Sequence, residues 1–308
     1  MRNKYLDQRT AWDIDQIVSK ILRDLGDPNP PLNLDEVREL LKLNREYYSS
    51  ADDSALREFV NRAIIAGKQM LMRPTLILDV VRNCDLKALY LPDRKRILID
   101  STQPQIKWRW FEGHETIQSL VGWHGTVMHG DSILELSPAC HEQLEAEANF
   151  GAGRLLFLRQ KFDDIAKGSQ LSFDLVKTIS RIFKNTLTTT MWRLIEAADF
   201  PALGVVSQHP RYPDQSFDPH NPCRYFVRSK KFIERFSAVT EVEIHSLMRK
   251  HCSFRRRGPI GCADIVLSDD RGEQHLFYFD SFHNGHETLA IFAYLRPHPV
   301  AVGLPRSI

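Results

Sequence analysis

Apolar residues in the first part of the chain recur at intervals of three and four positions. This spacing predicts an amphipathic helix over residues 12–25, which Gly26 ends. The same spacing predicts a second helix over residues 34–43, with Asn33 as its N-cap, and a third over residues 56–72. The chain is therefore predicted to begin with a mainly helical region.

The apolar spacing changes twice in the middle of the chain. Two short apolar segments, residues 88–91 and 96–99, flank a Pro-Asp-Arg-Lys turn and predict a β-hairpin. Helical spacing then returns over residues 104–121 and 142–159, and in two pieces over residues 171–198. A small sheet is thus expected among helices.

A group of prolines marks a change of composition in the last third of the chain. We interpret residues 206–222 as a linker, because proline interrupts both helices and sheets. Beyond it, residues 224–250 combine a short strand with a helix. The segments 262–267 and 275–279 predict a second hairpin, and residues 289–295 a further strand.

Together these patterns predict an α+β fold with two domains. Residues 1–205 should form a mostly helical domain with a small β-sheet, and residues 223–308 a smaller mixed α/β domain. A chain of 308 residues, of which 43% are hydrophobic, has the length for two domains and enough apolar mass for a packed core.

Charge and cysteine content narrow the class of protein. Lys and Arg total 41 and Asp and Glu 39, and this balance argues against direct binding of nucleic acid by the chain as a whole. The five cysteines include no CxxC pair, so neither a disulfide framework nor a thiolate zinc site is predicted. No apolar segment approaches the roughly 18 residues of a membrane span, and no secretory signal is visible. We therefore expect a cytoplasmic protein.

The segment from His114 to Gln118 carries the first candidate chemistry. Zinc peptidases use His-Glu-x-x-His on one helix, because residues i and i+4 share a helix face and two imidazoles can bind one metal. The Glu that follows the first His serves as the general base. Here His114 and Glu115 match this pattern, but Gln118 stands in place of the second His.

A later helix carries Glu145 and Asn149, four residues apart. A Glu on a following helix is a common further ligand of zinc, and a polar residue one turn on can orient a ligand through a hydrogen bond. Taken alone, such a pair is typical of a solvated acidic helix face. Its interpretation as part of a metal site therefore depends on His114.

In this order the two segments resemble the ImmA/IrrE family of metallopeptidases. The family's Arg-Phe before its His-Glu helix is similar to residues 109–111. Its Glu-x-x-Ala-Asn-x-x-Ala signature is similar to residues 145–152, and the Leu-Leu that follows is also present. The resemblance covers about residues 10–200 and leaves the C-terminal part uncovered.

The resemblance implies a zincin-like domain and a cytoplasmic zinc metallo-endopeptidase. His114 and Glu145 would be zinc ligands, Glu115 the general base, and Asn149 would orient a neighbouring ligand. The resemblance also implies proteolysis of a protein partner, often a helix-turn-helix repressor, which relieves repression in bacteria or their mobile elements.

Gln118 departs from the family pattern and leaves three outcomes open. An amide oxygen is a weaker zinc donor than an imidazole nitrogen, so Gln118 binds weakly, another His replaces it, or the site is inactive. His124 is the best substitute, because its offset from His114 is that of the third His in metzincins. On an unbroken helix, however, it would lie about 15 Å away. His129 and His141 are weaker candidates.

Two functions follow from these residues. The first is a zinc metallo-endopeptidase with a degenerate metal site. The second is an inactive pseudo-peptidase that binds a protein without cutting it, with the C-terminal domain as a sensor or partner-binding module. Gln118 favours the second function, whereas the retention of Glu115 and Glu145 favours the first.

Two C-terminal segments carry weaker signals. Residues 283–288 repeat a His-Glu-Thr sequence but lack a His four positions later, which favours a turn between strands. The run Arg255-Arg256-Arg257 can contact phosphate or an acidic partner. A solvated loop is the ordinary interpretation of such a run.

Overall fold

The computed structural model describes residues 2–48, 88–91, 95–122 and 138–298. The helix predicted at residues 56–72 lies outside these residues, as do the candidate ligands His124 and His129. The side chain of His141 is also outside what the structure describes.

The first two helices begin at polar side chains that cap them. Helix α1 (Gln8–Asp24) starts after Asp7, whose carboxylate accepts hydrogen bonds from the first free backbone N–H groups. It ends before Gly26, which has a φ of +74°. Helix α2 (Leu34–Leu41) starts after Asn33, whose side-chain oxygen accepts from a backbone N–H group. Both predicted helices are confirmed.

A three-stranded sheet follows the second helix. Its strands are β1 (Asn44–Tyr48), β2 (Ala88–Leu91) and β3 (Arg96–Asp100), in the order β1-β3-β2. The predicted hairpin is confirmed, since β2 and β3 pair antiparallel. Strand β1, which the apolar pattern did not indicate, pairs parallel with β3. Central β3 buries Ile97 and Ile99 completely.

Two long helices, α3 (Gln105–Leu120) and α4 (Pro138–Leu156), cross at close distance. A Cβ atom at Gly151 would lie 2.6 Å from the Cγ2 atom of Ile117, closer than real Cβ atoms approach. Glycine is therefore required at this crossing. The close approach brings side chains of the two helices within hydrogen-bonding distance of one another.

Three shorter helices follow: α5 (Gln160–Ala166), α6 (Phe173–Phe183) and α7 (Leu187–Ala197). The last two confirm the helical region that the sequence predicted in two pieces. Phe157, Phe162 and Phe183 are fully buried and pack together, with ring centroids 5.1–6.2 Å apart. The three rings form one apolar cluster.

The rest of the described chain builds a five-stranded antiparallel sheet with two helices. In chain order the elements are β4 (Ala202–Ser207), β5 (Cys223–Arg228), α8 (Lys230–Arg235), α9 (Glu241–His251), β6 (Gly258–Ser268), β7 (Gln274–His283) and β8 (Thr288–Pro297). The strand order is β5-β4-β8-β7-β6. Phe232, Phe236 and Phe277 belong to one buried cluster between the helices and the sheet. The predicted C-terminal hairpin and final strand are confirmed.

The described residues divide into two compact units. The N-terminal unit comprises the described parts of Tyr5–Phe162 and Ile182–Asn185. The C-terminal unit comprises the described parts of Met1–Lys4, Asp163–Arg181 and Thr186–Ile308. The fold is α+β, as predicted.

The division differs from the predicted boundaries at 205 and 223. Residues 206 and 207 belong to β4, which is buried throughout and pairs with both β5 and β8. The proline-rich segment that follows connects β4 to its neighbour β5 within one sheet. Proline marks such a strand connection and an interdomain linker in the same way, so composition did not distinguish them.

No helix in the described residues combines the length and the apolar character that crossing a lipid bilayer requires.

Candidate functional site

Helix α3 carries three of the residues that the sequence singled out. His114 and Glu115 are buried, and Gln118 lies one turn beyond His114 on the same face of the helix. The Nε2 atoms of Gln118 and His114 lie 3.1 Å apart. The side chains at the positions of the two histidines of a zinc-peptidase helix are thus in direct contact.

Helix α4 brings Glu145 and Asn149 to the same place. The Glu145 Oε2 atom lies 3.5 Å from His114 Nε2, and the Asn149 Oδ1 atom lies 3.1 Å from His114 Nδ1. Gln118 Nε2 donates a hydrogen bond to Glu145 Oε1 at 3.5 Å. The structure therefore brings together His114, Gln118, Glu145 and Asn149.

The contacts of His114 match one tautomer of the neutral ring. An amide oxygen can only accept, so Nδ1 of His114 carries the hydrogen that Asn149 Oδ1 accepts. Nε2 of the neutral ring then keeps its lone pair and accepts a hydrogen from the Gln118 amide nitrogen. That lone pair is the one that a metal ion would use.

Burial lowers the pKa of His114, but the nearby acceptors outweigh it. In the protonated ring, Nε2 carries a hydrogen that Glu145 accepts. This hydrogen bond, the negative charges of Glu115 and Glu145, and the hydrogen bond with Asn149 together raise the pKa above its ordinary value. The buried Glu115 carboxylate is thus close enough to act on the imidazole electrostatically.

His114 and Glu145 are placed to bind zinc, but Gln118 is not. Tetrahedral zinc ligands at ordinary bond lengths lie about 3.4 Å apart, close to the 3.5 Å between His114 Nε2 and Glu145 Oε2. Gln118, however, turns its amide nitrogen toward this position, and an amide nitrogen has no lone pair for a metal. The described residues therefore supply two donors, whereas catalytic zinc sites have three protein ligands.

A buried ion-pair group on α3 was not predicted. Glu112 is 2% exposed and binds two arginines, Arg45 Nη1 at 2.8 Å and the guanidinium of Arg38. These arginines belong to β1 and α2, so the group ties both elements to the helix that carries His114. No local spacing links positions 38, 45 and 112, so no pattern in the sequence predicted this group.

A second histidine–carboxylate group lies in the C-terminal unit. Asp269, Glu273 and His275 have donor atoms close enough together to hold a metal ion. The guanidinium of Arg235 already fills this group, with Nε 3.1 Å from Asp269 Oδ2 and Nη2 3.5 Å from Glu273 Oε2. His275 Nε2 lies 3.1 Å from the same Asp269 oxygen. The hairpin turn was predicted, but the pairing with Arg235 was not.

The two weaker C-terminal motifs lie in a turn and a loop, as predicted. The His-Asn-Gly-His-Glu segment forms the turn between β7 and β8, and the three arginines at 255–257 lie in the loop between α9 and β6.

Comparison with known proteins shows a distant structural likeness. The sequence matches no protein-family profile and shows no significant similarity to a curated protein. Among solved structures, the chain is similar to a Mycobacterium tuberculosis transcriptional regulator. The TM-score is 0.49 and the identity 12%, and the match covers 92% of this chain and 88% of that one.

Proposed function

We propose that this chain is a metallopeptidase-like regulatory protein that binds a protein partner without hydrolysing it. One observation carries the proposal: the amide nitrogen of Gln118 lies 3.1 Å from His114 Nε2 and 3.5 Å from Glu145 Oε1. An N–H donor in this place satisfies the imidazole lone pair and the carboxylate through hydrogen bonds. The amide thus takes the place that a metal ion has in an active peptidase of this type.

The resemblance to the ImmA/IrrE family supports the class of partner. That resemblance rests on residues 109–111, His114-Glu115 and residues 145–152. It implies a protein partner such as a helix-turn-helix repressor. A protein that keeps the α3–α4 arrangement but lacks one ligand retains the means to bind such a partner, while it loses the means to hold a catalytic metal.

A degenerate but active zinc endopeptidase is the second candidate. It is favoured by the 3.5 Å separation of His114 Nε2 and Glu145 Oε2 and by the buried Glu115 beside them. A half-turn of the Gln118 amide would direct its oxygen, a weak donor, toward the same position. Metal content separates the two candidates.

The test is the zinc content of untagged protein after equilibration with zinc and gel filtration. Wild type should retain far less than one zinc per chain, whereas Gln118→His, which completes the ligand set, should retain about one. Gln105→His is the matched control, since residue 105 is exposed on the same helix and outside the site. This control should remain like wild type.

Two results would contradict the proposal. About one zinc per wild-type chain, lost on Glu145→Ala, would support the endopeptidase instead. A folded Gln118→His variant that takes up no more zinc than Gln105→His would show that His114 and Glu145 do not form a latent metal site. A captured partner gives a further check, because it should remain intact with wild type.

A further inference from the structure

Three loops of the C-terminal unit lie at the same end of the strands of the five-stranded sheet. They connect β4 to β5, α9 to β6, and β7 to β8. His209 Nε2 in the first loop donates to the backbone oxygen of Arg255 in the second at 2.9 Å. The ring of His209 also lies 5.1 Å from the ring of His283, where the third loop begins. The loops therefore form one continuous surface.

This surface combines arginines with aromatic rings, and we call it the arginine–aromatic surface. Its members are Arg211, Tyr212, Phe254, Arg255, Arg256 and Arg257. A cavity of about 250 Å³ adjoins it, lined in part by His209, Tyr212, Arg256 and His283. All of these residues belong to the C-terminal unit.

Among the described residues, the arginines of this surface have no carboxylate partners. Within the described part of the chain, none of the four has a carboxylate within ion-pair distance. Arg224 and Arg235 of the same unit, by contrast, each pair with an acidic residue. The nearby Asp214 is occupied by hydrogen bonds from Gln208 and Ser216. Asp214 keeps its single negative charge, but the four arginines outnumber it, so this surface keeps a net positive charge among the described residues.

Two aromatic rings stand among these charges with much of their surface in water. Phe254 is 61% exposed and Tyr212 is 42% exposed, and their ring centroids lie 5.7 Å apart. The guanidinium of Arg256 lies 4.5 Å from the centre of the Tyr212 ring, and that of Arg211 lies 5.1 Å from the centre of Phe254. Flat rings and flat guanidinium groups are thus arranged side by side.

The histidines at the cavity do not suggest a metal site. Nδ1 of His209 accepts from the backbone N–H of Arg211, and its Nε2 donates to the carbonyl of Arg255. Nδ1 of His283 accepts from the backbone N–H of Gly285. These ring atoms are engaged in holding the loops together, so the chemistry that this surface offers to a ligand comes from its arginines and its rings.

We infer that the arginine–aromatic surface binds single-stranded nucleic acid. Arginine binds phosphate oxygens, and exposed aromatic rings stack on unpaired bases, so this combination matches both parts of a single strand. An acidic peptide would satisfy the arginines but would leave Phe254 and Tyr212 without a flat partner. The small net charge of the chain does not oppose this inference, because binding depends on the local field of the four arginines.

The test is fluorescence anisotropy of labelled oligo-dT and oligo-U with the full chain. Both oligonucleotides should bind, with a preference for one of them if the protein contacts the sugar. Poly-glutamate should compete poorly. For a single strand, each phosphate contact lowers the logarithm of the binding constant by about 0.7 for each unit of the logarithm of salt concentration. Four arginines therefore predict at most about a 50-fold loss of affinity between 50 and 200 mM salt. Removal of Arg255, Arg256 and Arg257 together, each to Ala, should reduce the slope to about 0.7.

Matched variants separate stacking from general charge. Phe254→Ala should weaken oligonucleotide binding about five-fold or more while heparin binding is unchanged, since heparin has no bases. The control replaces three exposed cations elsewhere in the same unit, Lys231, Arg271 and Arg296, with Ala, and should have little effect. The inference is overturned if neither oligonucleotide binds, if poly-glutamate competes equally, or if Phe254→Ala and the arginine triple variant bind like wild type.

Discussion

Two histidine–carboxylate groups lie in different units of this protein, and a side chain fills the centre of each. In the N-terminal unit, the neutral amide of Gln118 lies between His114 and Glu145. In the C-terminal unit, the charged guanidinium of Arg235 contacts Asp269 and His275. Similar sets of residues therefore do not imply similar chemistry.

The charge of the filling side chain makes the difference. Arg235 balances the negative charge of Asp269, so this group is a complete ion pair that holds the α8 end to the β6–β7 hairpin. Gln118 carries no charge, so it does not neutralise the negative charges of Glu145 and Glu115 near His114. The group around His114 therefore lacks one ligand of a zinc site. The group around Asp269 already holds a cation, the guanidinium of Arg235.

The largest effect on stability is expected at the buried carboxylate that anchors α3. Glu112→Gln leaves Arg38 and Arg45 without their common counter-charge, and we expect a loss of about 3 kcal/mol in the free energy of unfolding. Urea titration measures it. Glu142→Gln, at an exposed position on α4, is the control and should change little. Equal small losses in both variants would show that the anchor does not hold the site helix.

A smaller effect is expected at the helix crossing that brings His114 and Glu145 together. Gly151→Ala places a methyl group 2.6 Å from Ile117 Cγ2, so the Ile117 side chain or the helices must shift, at a cost of about 1–3 kcal/mol. In the Gln118→His background this change should also weaken zinc uptake. Gly122→Ala, where a Cβ would meet nothing within 4 Å, is the matched control. Unchanged zinc uptake with Gly151→Ala would mean that the crossing does not define the site.

The smallest effect is expected at Asp269 of the C-terminal group, as a change in the pH dependence of stability. Burial opposes ionisation of Asp269, but hydrogen bonds from Arg235, two backbone N–H groups and His275 lower its pKa to about 2. A lowered folded-state pKa stabilises the fold above the ordinary value of 3.8, and this stabilisation is lost as the pH falls from 3.8 to about 2. Asp269→Asn should remove that part of the acid dependence of the melting temperature. An acid profile identical to wild type would contradict the ion-pair interpretation.

Local patterns predicted most of the elements, and contacts between distant positions account for what they missed. Helical spacing and the Asn33 cap predicted α2, and short apolar segments that flank turn residues predicted the two hairpins. The position of His114 beside Glu145 depended on a resemblance, since nothing local connects two helices. The Arg38–Glu112 and Arg235–Asp269 pairs join residues 74 and 34 positions apart, so no window of sequence could reveal them.

Strand β4 is a further case in which local sequence patterns did not reveal contacts between distant positions. Its six residues are all buried, but its partner strand β8 lies more than 80 residues later. The prolines after β4 then suggested a linker, because composition reports a break in regular structure and not what lies on either side of it.

Nitrogen-15 NMR of His114, assigned by comparison with His114→Asn, tests most directly whether Gln118 takes the place of a metal ion. At a pH where the ring is neutral, we expect hydrogen on Nδ1, a hydrogen-bonded Nε2 lone pair, and no change when one equivalent of zinc is added to wild type. In Gln118→His the same addition should shift the Nε2 signal. A zinc-dependent shift of His114 Nε2 in wild type would contradict the claim that Gln118 takes the place of the metal.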